Sequence, residues 1–226
     1  MIRMKKHLYL LLMVGVLVLL MAPVDLWLAP NYWIKSIVKI GLFVVIPLVL
    51  NQVFHWVELK ELLKFKQKGR KLIVIGSLAI YGFIVGIYLI VGQWFDLSGV
   101  TVALEETMAI NRDNFIFVAL YIPIVNAFIE EFFFRGILFL ALTKYIRVGY
   151  AYFISAGIFS VYHVAIMTNW FTIPLFLLLV FSLLIAGLLF NWINAKTGSI
   201  YGSYLIHAAS NLAINTIGLH LFGIIG

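Results

Sequence analysis

The sequence predicts an all-α bundle of membrane-spanning helices, and three observations predict it. Of 226 residues, 64% are hydrophobic and only 11% are charged, against roughly 25% charged in a soluble globular chain. The mean hydropathy is +1.10. Apolar runs approaching the span length of about 20 residues recur along the whole chain, with short hydrophilic connections between them. The expected architecture is a single transmembrane domain over residues 1–226. It has seven spans, or eight if one segment bends back.

The first span follows Arg3, Lys5 and Lys6 and begins with the apolar run Leu8 to Ala22. No small-x-small cleavage site follows, and Pro23 occupies the junction, so this start reads as a retained helix and not as a cleaved signal. Spans are expected at 8–28, 33–57, 72–95, 115–143, 149–168, 170–194 and 199–222. Trp27, Trp33, Trp56, Trp94, Trp170 and Trp192 fall near their ends, where interfacial anchors belong. After the second span, Glu58 to Lys66 puts Leu59, Leu62 and Leu63 at helical spacing beneath a basic face. That pattern predicts a short amphipathic helix lying at the membrane surface, with a solvated connecting loop as the alternative.

Orientation follows from the lysines and arginines. Lys60, Lys64, Lys66, Lys68, Arg70 and Lys71 lie after the second span, Lys144 and Arg147 after the fourth, and Lys196 after the sixth. With the basic start, these connections fall on one side, which the positive-inside rule makes cytoplasmic. The connection over 96–114 carries Asp96, Glu105, Glu106 and Asp113 against Arg112. The expectation is an integral membrane protein with a cytoplasmic N-terminus and lipid headgroups as partners. The net charge of +7 is spent on these connections and predicts no nucleic-acid partner. The chain has no cysteine, which excludes disulfides, thiolate metal sites and a cysteine nucleophile.

Charge inside the fourth span is what points to chemistry. Each ionised group at the bilayer centre costs about 3 kcal/mol on insertion scales, yet Glu130, Glu131 and Arg135 sit there together. His163, four residues after Phe159, and His207, four before Asn211, lie in two further apolar runs. Residues at i, i+4 on a helix are about 40° apart, so each pair shares a face, as do Asn126 and Glu130. Glu130 and Glu131 are about 100° apart. One therefore faces the reaction space while the other neutralises Arg135, unless the helix is distorted. Their depths converge near mid-membrane, at roughly 12 to 20 Å from the span ends. Glu131–Arg135 alone reads equally as a structural ion pair. His55, His220, Asn191, Asn194, Asn215 and Ser210 read as packing or capping groups. Ser155, Ser160, Ser203 and Ser210 show no nucleophile-elbow pattern.

Glu-Glu-x-x-x-Arg, then Phe-x-x-x-His, then His-x-x-x-Asn, in that order, resembles the motif set of the CAAX protease and bacteriocin-processing (CPBP, or Abi) family of intramembrane endopeptidases. Type II CAAX prenyl endopeptidases are among its members. The motifs run from Glu130 to Asn211, within the segment 115–222, and the first three spans carry no family signature.

The resemblance implies hydrolysis of a peptide bond in a membrane-associated peptide, with a prenylated CAAX-like terminus and a peptide pheromone or bacteriocin as the alternative substrates, and the setting expected is a bacterial plasma membrane. Glu130 would be the general base and His163 the group that orients water or shuttles the proton. His207 and Asn211 would donate to the oxyanion, with each such donor in a dry site worth roughly 3 to 4 kcal/mol. Glu131, Arg135, Phe159 and Asn126 would support them. A water-filled cavity opening to the cytoplasm is expected. No cofactor is expected, with zinc on Glu130, His163 and His207 as the alternative, although the His-Glu-x-x-His signature is absent. Two rival classes remain: a non-proteolytic immunity or scaffold protein, and a transporter that relays protons through the same groups.

Overall fold

A computed structural model describes residues 2–28, 31–65, 69–167 and 171–226. Lys66, Lys68 and Trp170 lie outside the described residues. Among those described, no strand occurs, and the chain is an all-α bundle.

The helices are α1 (Ile2–Pro23), α2 (Tyr32–Phe54), α3 (Leu59–Leu62), α4 (Arg70–Val91), α5 (Ser98–Met108), α6 (Phe115–Leu140), α7 (Val148–Met167), α8 (Ile173–Thr197) and α9 (Tyr201–Leu221). Among the described residues, six segments are long and apolar enough to cross a membrane. These are α1, α2, α4, α6, α7 and α8. The seventh expected span is α9, which has 21 residues but lower hydropathy, because it carries His207, Asn211, Asn215 and His220.

Several helices contain π-helical turns, in which the hydrogen bond reaches one residue further than in an α-helix. Three of them adjoin prolines. Val24–Leu28 follows Pro23, Gly41–Val45 lies just before Pro47, and Ile122–Asn126 contains Pro123. A proline has no N–H for the carbonyl four residues back. In α6 that orphan is the carbonyl of Ala119, and it accepts instead from Asn215 Nδ2 of α9 at 2.8 Å. The Tyr204 hydroxyl of α9 donates to the Ile124 carbonyl at 2.9 Å. The fourth and longest wide stretch, Glu131–Leu140, has no proline. It begins at the acidic pair.

The half of the bundle beneath that pair is filled by aromatic rings. Phe43 of α2 stacks on Phe133 of α6 with centroids 4.1 Å apart. Phe134, Phe139 and Trp56 are also fully buried. Trp56 is therefore a core residue rather than the interfacial anchor expected, stacked on Phe54 with its Nε1 donating to the Lys6 carbonyl. Helix packing elsewhere relies on small residues and amides. A Cβ on Gly187 of α8 would lie 3.0 Å from the Ala156 Cα of α7. Asn191 Nδ2 donates to the Tyr152 carbonyl, and Asn194 Nδ2 to the Ser203 hydroxyl.

The basic connection after α2 differs from the amphipathic surface helix expected. It holds one helical turn, α3, whose Leu62 is buried. The Leu62 side chain sits over Gly136, and its carbonyl accepts from Ile200 N at 3.2 Å. The segment is docked on the bundle because Gly136 leaves room for it, while Leu63 stays exposed. The acidic connection over 96–114 contains α5.

Asn215→Leu would leave the Ala119 carbonyl buried without a donor. It is expected to lower stability in detergent by about 1 to 3 kcal/mol, measured as a fall in thermal midpoint at unchanged helical content.

Candidate active site

The wide stretch in α6 begins at the acidic pair. On a regular helix two adjacent residues diverge by about 100°, yet Glu130 and Glu131 here address the two nitrogens of one imidazole. His207 Nδ1 lies 2.9 Å from Glu131 Oε1, and His207 Nε2 lies 3.6 Å from Glu130 Oε2. Single π turns are often found at functional sites. Glu130 and Glu131 themselves keep ordinary helical backbone angles, so the two carboxylates meet on one ring through the reach of their side chains.

Glu131 and Arg135 form an ion pair at 3.2 Å, with both side chains fully buried. The guanidinium is held between two rings: its Cζ lies 3.9 Å from the Phe159 centroid and 5.0 Å from that of Phe190. Phe190 in turn stacks on His207 at 5.2 Å, and Phe159 meets His163 edge-on at 4.5 Å. Arginine tolerates such a place because its planar charge stacks on aromatic faces. Phe159 thus links Arg135 to both histidines through ring contacts.

A carbonyl and a carboxylate only accept hydrogen bonds, which fixes the imidazole tautomers. His163 Nδ1 donates to the Phe159 carbonyl at 2.8 Å, one turn back on α7. His207 Nδ1 donates to Glu131. Both histidines therefore turn Nε2 towards Glu130 Oε2, at 3.7 Å and 3.6 Å. That oxygen accepts no hydrogen bond from any described residue. These separations are too long for direct hydrogen bonds.

The other oxygen of Glu130 is engaged by a residue that the sequence reading did not single out. Lys39 Nζ of α2 lies 2.5 Å from Glu130 Oε1 and 2.6 Å from Asn126 Oδ1, while Asn126 Nδ2 donates to the same Oε1 at 3.0 Å. Lys35, one turn earlier, is also buried and donates to the Asp25 carbonyl at 2.8 Å. The signal was present in the sequence. Lys35 and Lys39 stand at i, i+4 inside an apolar span, and the expense that marks a buried glutamate applies equally to a lysine.

A cavity of about 410 Å³ reaches Glu130, His163, Asn126 and Lys39. Leu104, Met108, Phe115 and Val118 are among its mostly apolar lining. It extends towards α5, on the side of the acidic connection, and not towards the basic connections as expected. The aromatic core fills the other half of the bundle. His207 and Asn211 do not line this cavity. Asn211 is half-buried, one turn beyond His207, and its side chain makes no hydrogen bond among the described residues.

Among the described residues no group of three His, Asp or Glu side chains has the arrangement of a metal site. Glu130, His163 and His207 do converge, but the ammonium of Lys39 is 2.5 Å from the carboxylate that would be a ligand. That donor set fits a divalent cation poorly.

Residues 112–213, a little under half of the chain, match the family model of type II CAAX prenyl endopeptidase Rce1-like proteins. By that match this segment is similar to the CAAX protease and bacteriocin-processing family. The matched segment contains all three motifs, from Glu130 to Asn211. No curated protein and no solved structure matches the chain. The family is one of membrane-embedded peptide hydrolases, and the apolar helices agree with an integral membrane protein.

Arg135→Met should leave Glu131 charged, buried and without its cation, at about 3 to 5 kcal/mol of stability. Adding Glu131→Gln is expected to recover most of that loss, a coupling that thermal unfolding of the two single variants and the double variant measures.

Proposed function

We propose that the chain is an intramembrane endopeptidase that cleaves a membrane-associated peptide with water activated by Glu130. The observation that carries this reading is the approach of Nε2 from both His163 and His207 to the free oxygen of Glu130, at 3.7 and 3.6 Å. Gaps of that size between polar atoms suit one shared water.

In this reaction Glu130 Oε2 takes one proton of the water as its oxygen attacks the peptide carbonyl carbon. The new C–O bond forms while the carbonyl electron pair moves onto oxygen. His163 Nε2 accepts the second water proton in a hydrogen bond and so orients the attacking lone pair. Collapse of the tetrahedral species breaks the C–N bond, and the proton held by Glu130 passes to the leaving nitrogen. Asn211 has an unengaged amide to offer the oxyanion, and His207, fixed by Glu131, stands on the same side of α9. His207 donates there when its Nε2 carries a proton.

The apolar lining supports a substrate that is itself lipophilic, such as a prenylated CAAX-like terminus. The distribution of lysines and arginines supports a cytoplasmic N-terminus, and a bacterial plasma membrane is the setting proposed.

Glu130→Gln is nearly isosteric and should lower cleavage of a membrane-tethered peptide by about 10²- to 10⁴-fold, with the helical content unchanged. A folded Glu130→Gln protein that cleaves at the wild-type rate overturns the assignment. Chelator is expected to leave the wild-type rate unaltered; loss of activity restored by zinc would instead make Glu130, His163 and His207 metal ligands.

A further inference from the structure

The reaction just described uses one oxygen of Glu130 and assigns nothing to the side chain that grips the other. Lys39 donates to Glu130 Oε1 and to Asn126 Oδ1, across 91 and 87 positions of sequence. Its side chain is 7% exposed and that of Glu130 is 2% exposed. A buried ion pair is no more stabilising than well-packed apolar residues of similar volume, and often less so. Two charges at this depth therefore call for a reason other than packing.

The geometry of the contact supplies one. Lys39, Asn126 and Glu130 form a closed ring of hydrogen bonds, with the amide of Asn126 donating to the carboxylate and its carbonyl accepting from the ammonium. Oε1 thereby receives two donors, one of them charged. Oε2 receives none from the described residues and is left facing the two imidazoles. A carboxylate in apolar surroundings without a counter-charge holds a proton instead of a charge, and a protonated Glu130 has no basic oxygen to offer water. We propose that Lys39 is a positioning residue of the hydrolytic centre, whose ammonium keeps Glu130 ionised and pins Oε1 so that Oε2 alone is presented to the histidine side. The proposal rests on Glu130 acting as the base, and it adds α2, a helix outside the matched family segment, to the working site.

The test compares Lys39→Met, Lys39→Gln, Lys39→Arg and Lys39→Ala with wild type in purified full-length protein, each checked for helical content and a single size-exclusion peak. Removing the charge should lower kcat by about 10²-fold with KM little altered, since Lys39 acts on the base and not on the substrate. Lys39→Arg should retain more activity than Lys39→Gln. Ethylamine should restore part of the Lys39→Ala rate, whereas ethanol, similar in size and uncharged, should not.

Infrared spectra give a readout that does not depend on cleavage. Lys39→Met should show the C=O stretch of a protonated carboxyl group at neutral pH that wild type lacks, and adding Glu130→Gln should remove it. Wild-type kcat in Lys39→Met, or equal rescue by amine and alcohol without a new carboxyl band, overturns the proposal. If wild type cleaves nothing, the proposed function fails. The infrared arm then still supports or overturns the hold of Lys39 on Glu130. Where Lys39→Met does not fold, Lys39→Gln carries the same spectra.

Discussion

Two adjacent carboxylates lie buried in this bundle, and each has its own cation. Glu130 is met by Lys39 and Glu131 by Arg135. The four charges sum to zero, which makes the cluster tolerable where ionised groups are expensive. The pairing also separates the roles of the two acids. Glu131 spends one oxygen on Arg135 and the Nδ1 proton of His207, so it fixes a ring and a guanidinium. Glu130 gives one oxygen to Lys39 and Asn126 and keeps the other clear. Adjacent residues of one type are thus made chemically unequal by what surrounds them, as happens wherever two titratable groups share a site and diverge in function.

The aromatic residues belong to the same device. Arg135 lacks enough oxygen partners to use its donors, and the faces of Phe159 and Phe190 supply what is missing. Those rings also set the positions of His163 and His207. The phenylalanine of the second motif, which looks inert beside its histidine, is where the ion pair and both imidazoles come into contact. The core under the cluster, with Phe43 stacked on Phe133, closes that half of the bundle and leaves the cavity to extend towards α5.

Much of the fold was legible because membrane crossing imposes a coarse rule on composition. Runs of apolar residues gave the long helices nearly in place, and the expense of buried charge singled out Glu130, Glu131, Arg135, His163 and His207 before any geometry was known. The same rule applied to Lys35 and Lys39 would have marked α2. Other features were out of reach. The width of the turn after Glu130 depends on three-dimensional packing, with no proline to announce it. The docking of Leu62 depends on Gly136, far away in sequence. The burial of Trp56 depends on Lys6 and Lys144, which hold the backbone on both sides of it. A periodicity argument sees none of these partners.

The span of the Lys39–Glu130 contact has a consequence for how the polypeptide is made. Synthesis runs from the N-terminus, so α2 enters the bilayer long before α6, and the charge that waits for its partner is a lysine. A long aliphatic stem can carry an ammonium up to the headgroups in the meantime, which a short carboxylate side chain could not do. When α6 arrives, Glu131 brings Arg135 on the same helix and Glu130 finds Lys39 already inserted. His207 comes last and can come uncharged. For Glu130 and Glu131, the linear order puts a cation in the bilayer before each acid or on the same helix with it.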